Sequence, residues 1–234
     1  YKGKLRIVDP KGKEYALFEG KDYLQHIEER VEPWSYLKFP YLKNVGWKGY
    51  VDGQKSGVYR VGPLSRLNVA DGMSTSLAQE GYEKFFNVLE GKPVHYTLAY
   101  HWARAIELMY AAERLLELIS DETITSEDIR RIPTKKPTEG VGVIEAPRGS
   151  LFHHYYSDEE GLVKKVNLIV ATGNNNAAIF MSIKKAAKAL IKKWEVSQGL
   201  LNMVEMAFRP YDLCLSCATH SLPGKLPLEI EIYK

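Results

Sequence analysis

From Tyr96 to Ser120, apolar residues recur as Leu98, Trp102, Ala105, Ile106, Met109, Ala112, Leu116 and Ile119. That spacing is close to 3.6 residues and predicts one apolar stripe along a helix. At about 1.5 Å per residue the helix spans roughly 37 Å, enough to cross a bundle. Ser76 to Leu89 carries the same period, with Tyr82, Phe85, Phe86 and Leu89 on one side and Gly91 as its stop. Ala177 to Lys193 reads as a basic amphipathic helix, and Leu200 to Phe208 as a last helix that leads into a short C-terminal loop.

The pattern changes elsewhere. The first 19 residues predict a β-hairpin, LRIVD and EYALFE around a Pro10–Gly12 turn. Lys21 to Val31 predicts a short helix stopped by Pro33. Trp34 to Asp71 is irregular, with short strands expected around Gly49–Val51 and Val58–Val61. Asp121 to Lys136 reads as a loop with one helical turn over Ser126–Ile132. Val141–Ile144 and Leu162–Val170 read as strands, and a further strand sends His153 and His154 to opposite faces. The sum is an α+β fold, mainly α.

Composition narrows the classes. With 45% hydrophobic residues in 234, there is material for one substantial core. A net charge of +3 is too small for a nucleic-acid partner, so the lysines of 177–193 read as a solvated face or a subunit contact. No window approaches the 18 or more apolar residues of a membrane helix.

Cysteine occurs twice, as Cys214 and Cys217, with His220 three residues on. C-x-x-C lets one loop aim two soft sulfurs at one ion. A thioredoxin-like redox pair, half of a structural zinc site and two inert thiols all remain open on spacing alone. Two cysteines used as ligands, rather than as a disulfide framework, suit a reducing cytoplasm. Arg148 lies between Pro147, which fixes the backbone, and Gly149, which allows close approach. Its guanidinium is therefore aimed, with a plain salt bridge to Glu145 or Asp158 as the competing use.

Longer strings narrow the choice. Asp212, Cys214, Cys217 and His220, as D-x-C-x-x-C-x-x-H, resemble the nickel-binding motif of the nickel-iron hydrogenase large subunit. The usual form has proline after the aspartate, where this chain has Leu213. GVGVIEAPRG from Gly140 to Gly149 resembles that family's E-A-P-R-G loop, and NLIVATGNNN from Asn167 to Asn176 its strand and turn beside the iron. RVGPLSRLN from Arg60 to Asn68 has the same look. The similarity runs over essentially the whole chain and is strongest to the cytoplasmic F420-linked, viologen-reducing and sulfur-reducing group.

The resemblance implies a large-subunit-like helical bundle with peripheral short strands, and reversible heterolytic oxidation of hydrogen. It implies Cys214 as a terminal nickel ligand and proton acceptor, Cys217 as a bridge from nickel to iron, and His220 as a magnesium ligand. Arg148, oriented by Asp212, hangs over the open coordination position and hydrogen-bonds the diatomic ligands of iron, as does Thr172. His153 and His154 are expected to be structural or to serve proton exit. No iron-sulfur cluster is expected in this chain, so electrons leave through an iron-sulfur small subunit and further electron-transfer subunits.

Two features qualify that expectation. The family's other two thiolates and its relay glutamate come from an upstream segment, so the chain from Tyr1 is read as part of a longer one. Residues 1–220 are expected to form the catalytic domain, and 221–234 a cleavable extension cut between His220 and Ser221. That predicts an immature precursor, a client of a nickel-insertion chaperone and a C-terminal endopeptidase. A metal-free relative such as a quinone-linked respiratory subunit is the alternative, and the cysteine pair argues against it.

Overall fold

In the computed structural model, residues 3–53, 55–132, 134–192 and 195–218 are described. His220, Ser221 and the expected extension 221–234 lie outside them.

The two long periodic segments form helices. α3 (Ser76–Val88) and α4 (Ala99–Ile119) pack together with α2 (Pro63–Val69) and the first turns of α6 (Asn176–Leu190). Their buried faces meet in the main core, where Leu64, Leu67, Phe85, Tyr100, Ala103 and Ile106 lie. α4 is 21 residues rather than the expected 25 from Tyr96 to Ser120, about 31 Å long at the helical rise. Glu113 on α4 accepts hydrogen bonds from the backbone N–H groups of Leu77 and Ala78 at 3.0 Å each, satisfying two open donors at the start of α3.

Among the described residues the strands form three separate antiparallel sheets. β1 (Leu5–Val8) and β2 (Glu14–Phe18) make the expected hairpin. β5 (Glu139–Ala146), β6 (Gly149–Ser157) and β7 (Val163–Ile169) make a three-stranded meander. A second apolar cluster joins hairpin and meander through Phe18, Tyr23, Ile27, Phe152 and Ile169.

Three expectations are corrected. Lys21–Val31 is not one helix: a 3-10 turn at Gly20–Asp22 and α1 (Tyr23–His26) give way to β3 (Ile27–Val31). The partner is β4 (Lys38–Leu42), and the pairing buries Ile27 and Phe39. Residues 49–51 and 58–61 are not strands; instead the chain turns at Gly62 into α2, with Pro63 as its first residue. The helical turn expected at 126–132 falls earlier, as a 3-10 turn at Glu122–Thr125 closed by the Asp121 side chain.

The C-terminal part runs through α5 (Ala171–Asn174), α6 and α7 (Gln198–Met206) to a 3-10 turn at Arg209–Tyr211 and α8 (Leu215–Ala218). Helix outweighs strand, 41% to 20%, in keeping with a mainly α fold.

Candidate active site

Four segments far apart in sequence meet at one place: 59–66, the β5–β6 turn 145–149, the start of α5 and α6, and 209–218. The buried amides of Asn174, Asn175 and Asn176 anchor the helix starts to neighbouring backbone, and Arg148 and Thr172 tie in the segment 209–218. Asn174 donates to the Ser150 carbonyl at 2.8 Å and accepts from the Tyr59 hydroxyl at 2.5 Å. Asn175 pairs with both backbone groups of Val61, accepting at 2.9 Å and donating at 3.2 Å. Asn176 donates to the Lys38 carbonyl at 2.8 Å. The Asn175 amide fixes backbone at Val61 that has no helix or sheet of its own, while Asn174 and Asn176 tie the helix starts to the first residues of β6 and β4.

Two glycines let the turns interlock. A Cβ on Gly149, which has φ +138°, would stand 2.1 Å from Val61 Cγ2. One on Gly62 would stand 3.1 Å from the Arg148 carbonyl oxygen.

Arg148 reaches out from this junction. Its Nε donates to the Asp212 carbonyl at 2.6 Å and lies 3.3 Å from Asp212 Oδ2. The competing partners are engaged elsewhere: Glu145 with Arg66 at 3.0 Å, and Asp158 with Lys164 at 2.8 Å. Asp212 itself is left-handed, φ 50° and ψ 51°, a conformation its short polar side chain tolerates. A proline after it would disfavour helical backbone at 212; Leu213 does not, and packs against the main core instead.

Immediately beyond, the Cys214 N–H donates to the buried Thr172 hydroxyl at 3.1 Å. The hydroxyl accepts here, so its own proton stays available for a second contact. Cys214, half-buried, lies just before α8, and Cys217, exposed, lies on its single turn. The two sulfurs, expected as separate thiolates, are joined as a disulfide. One helical turn brings them to a common point, and that convergence is also what a shared ion requires once they are reduced. A thioredoxin-like context is absent among the described strands, which pair only antiparallel.

The structure therefore brings together Arg148, Asp212, Thr172, Cys214 and Cys217. Against a nickel-iron centre this donor set fits in kind, two soft sulfurs beside a guanidinium and a hydroxyl, but is short in number. Among the described residues no three His, Cys, Asp or Glu side chains cluster to hold a metal. His154 is buried away from the sulfurs, between the Tyr23 hydroxyl at 3.1 Å and Glu139 at 2.9 Å. His153 lies on the other face, against the Tyr155 hydroxyl at 2.9 Å.

Arg66 is the residue that the pattern did not single out. It sits within the RVGPLSRLN string, yet nothing in that string names its partners Glu107 and Glu145, which lie 41 and 79 residues away.

Similarities to known proteins identify the family. The nickel-dependent hydrogenase family matches residues 17–220. An iron-sulfur subunit of the F420-non-reducing hydrogenase of Archaeoglobus profundus is 56% identical over 97% of this chain and 46% of that protein. The beta subunit of the NAD-reducing hydrogenase HoxS of Cupriavidus necator is 42% identical over 100% of this chain and 47% of its own length. A crystal structure of an NAD+-reducing [NiFe]-hydrogenase in the H2-reduced state superposes with a TM-score of 0.85 at 39% identity, covering 94% of this chain and 47% of that one. The chain thus spans about half the length of these relatives. No described helix is long and apolar enough to cross a membrane. On its sequence and its fold, the chain belongs to the nickel-dependent hydrogenase family.

Proposed function

We propose that this chain supplies the C-terminal portion of the active site of a nickel-iron hydrogenase large subunit, catalysing the reversible heterolytic oxidation of hydrogen. The observation that carries the reading is the Arg148–Asp212 contact set directly beside Cys214 and Cys217.

Reduced, Cys214 and Cys217 would hold a nickel-iron centre together with two thiolates from outside these residues, and His220 a magnesium ion. When bound, such a centre supplies the polarisation that splits hydrogen into a proton and a two-electron equivalent. This chain's residues do the rest. Cys214 Sγ, reduced, would accept the proton through a thiolate lone pair. Arg148 presents a permanent positive charge beside the cysteine segment and would orient small ligands of such a centre. Asp212 aims that guanidinium through Nε. Thr172 fixes the Cys214 backbone, and its hydroxyl proton would be available to an acceptor on such a centre.

The Arg148–Asp212 pair is exposed at 41% and 47% of its side chains, so it contributes at most about 1 kcal/mol to folding. Its role is orientation, not stability. Electrons pass to a separate iron-sulfur protein, as expected of a chain whose only cysteines are these two.

The test is Cys217→Ser in the complete, matured complex. Nickel content by elemental analysis and hydrogen turnover are both expected to collapse. Parental nickel with parental turnover would refute the assignment.

A further inference from the structure

Arg148 has little around it to hold it in place, yet its proposed work demands a fixed position. Its side chain is 41% exposed and its contact with Asp212 runs through one nitrogen. The constraint has to come from the backbone that carries it.

We infer that Arg66 is a positioning residue for Arg148, clamping the peptide segment from which that side chain projects. The inference deepens the proposed function and rests on it.

The guanidinium of Arg66 has five donors, and each finds an acceptor. Nε and Nη2 grip the Glu107 carboxylate from both sides at 2.6 Å each. Nη1 donates to Glu145 Oε2 at 3.0 Å and to the Ala146 carbonyl at 2.9 Å. Nη2 also donates to the Pro147 carbonyl at 3.0 Å. Those two carbonyls belong to the residues just before Arg148.

The base of the clamp is rigid. Arg66 sits on α2 between Leu64 and Leu67, each 1% exposed, and Glu107 follows the buried Ile106 on α4. Arg66 thus ties an irregular turn to a packed helix pair. Gly149 against Val61 secures the far side of Arg148. Burial opposes the charge on Arg66, but Glu107 and Glu145 outweigh it and raise its pKa, so the clamp stays ionised.

Lysine cannot reproduce this geometry. It has three donors radiating from one point, not five in a planar fork. Arg66→Lys keeps the charge that Glu107 and Glu145 need while giving up the bidentate grip and at least two contacts.

The experiment is a double-mutant cycle in the complete, matured complex: Arg66→Lys, Arg148→Lys and both together. Readouts are kcat and KM for hydrogen with a soluble acceptor, Tm, nickel content, and amide exchange over 145–149. For Arg66→Lys we expect kcat to fall about 10- to 100-fold, with KM within about threefold. Nickel content and Tm stay near parental, and exchange over 145–149 accelerates while α4 is unchanged. In the Arg148→Lys background the same change costs no more than about threefold further, because its effect passes through Arg148.

Parental kcat in Arg66→Lys would overturn the inference, as would an equal loss in both backgrounds. Should Arg66→Lys misfold, Glu107→Gln loosens the clamp from its other jaw and is read the same way. Parental turnover in Arg148→Lys would instead sink the proposed function, and exchange over 145–149 would still decide whether Arg66 holds the turn.

Discussion

A single atom decides whether the two turns at the heart of the site can interlock. Gly149 combines φ +138° with a Cβ position 2.1 Å from Val61, so Gly149→Ala meets both backbone strain and overlap. It is expected to lower stability by at least about 2 kcal/mol, read by urea denaturation. Val61→Ala in the same chain should recover the steric part only. Asp212 makes the opposite prediction. Asp212→Asn should leave Tm within a few degrees, since an exposed pair is worth at most about 1 kcal/mol. Turnover should nevertheless fall, because the guanidinium loses its charged partner while keeping the backbone carbonyl of 212; a parental rate would show that the Asp212 carboxylate does not orient Arg148. At this scale the sequence grouped Arg148, Asp212 and the cysteine pair only through family motifs. Spacing alone left Arg148 free to pair with Glu145 or Asp158. Arg66 stayed hidden because its acceptors are two carbonyls and two distant carboxylates, none of which any local pattern encodes.

The elements divide by how much of their stability is local. α3 and α4 were legible as helices because long amphipathic segments carry a strong period. The buried Tyr82 and Phe85 of α3 fall on the expected stripe, but α4 buries Ala99, Tyr100, Ala103 and Ile106, and of its expected stripe Leu98, Met109, Leu116 and Ile119 are exposed. β3 and β4 were not. Lys38-Phe-Pro-Tyr-Leu42 contains Pro40, which argues against a strand, yet it pairs opposite Glu29 at the sheet. Ile27–Val31 then becomes a strand because β4 is there to pair with it, a tertiary choice that overrides local preference. α2 is seven residues long, too short to show a period, and Gly62-Pro63 was its one visible signal. Helix ends offer a test at this scale. The Glu113 carboxylate covers two backbone donors at the start of α3. Glu113→Ala is expected to lower Tm and speed amide exchange in the first turn of α3, with the middle of α4 unaffected. Unchanged exchange there would remove Glu113 from the account of how α3 begins.

The whole molecule is organised around one junction, where the main helical core meets the meander and the C-terminal segment. Tyr100 belongs to it: its hydroxyl donates to the Val61 carbonyl at 3.0 Å and its ring lies against Tyr211. Burial pushes the Tyr100 hydroxyl up to about 12 and drives that of Tyr59 higher still. A pKa raised on folding means the unfolded chain loses its proton first. Stability is complete below the ordinary tyrosine value of about 10 and falls above it, by up to about 1.4 kcal/mol per pH unit for each group. Denaturation of the full-length protein at about pH 8 and about pH 11 should show this loss, and Tyr100→Phe should shrink it. A slope identical in Tyr100→Phe would contradict the burial argument.

The central claim is that Cys214 and Cys217 hold nickel with Arg148 opposite. Nickel-edge X-ray absorption of the complete, matured complex tests it most directly, comparing parental protein with Cys214→Ser and Cys217→Ser. The account predicts that each variant either loses a sulfur from the nickel shell or fails to retain nickel. Full nickel with an unchanged sulfur shell in both variants would contradict it.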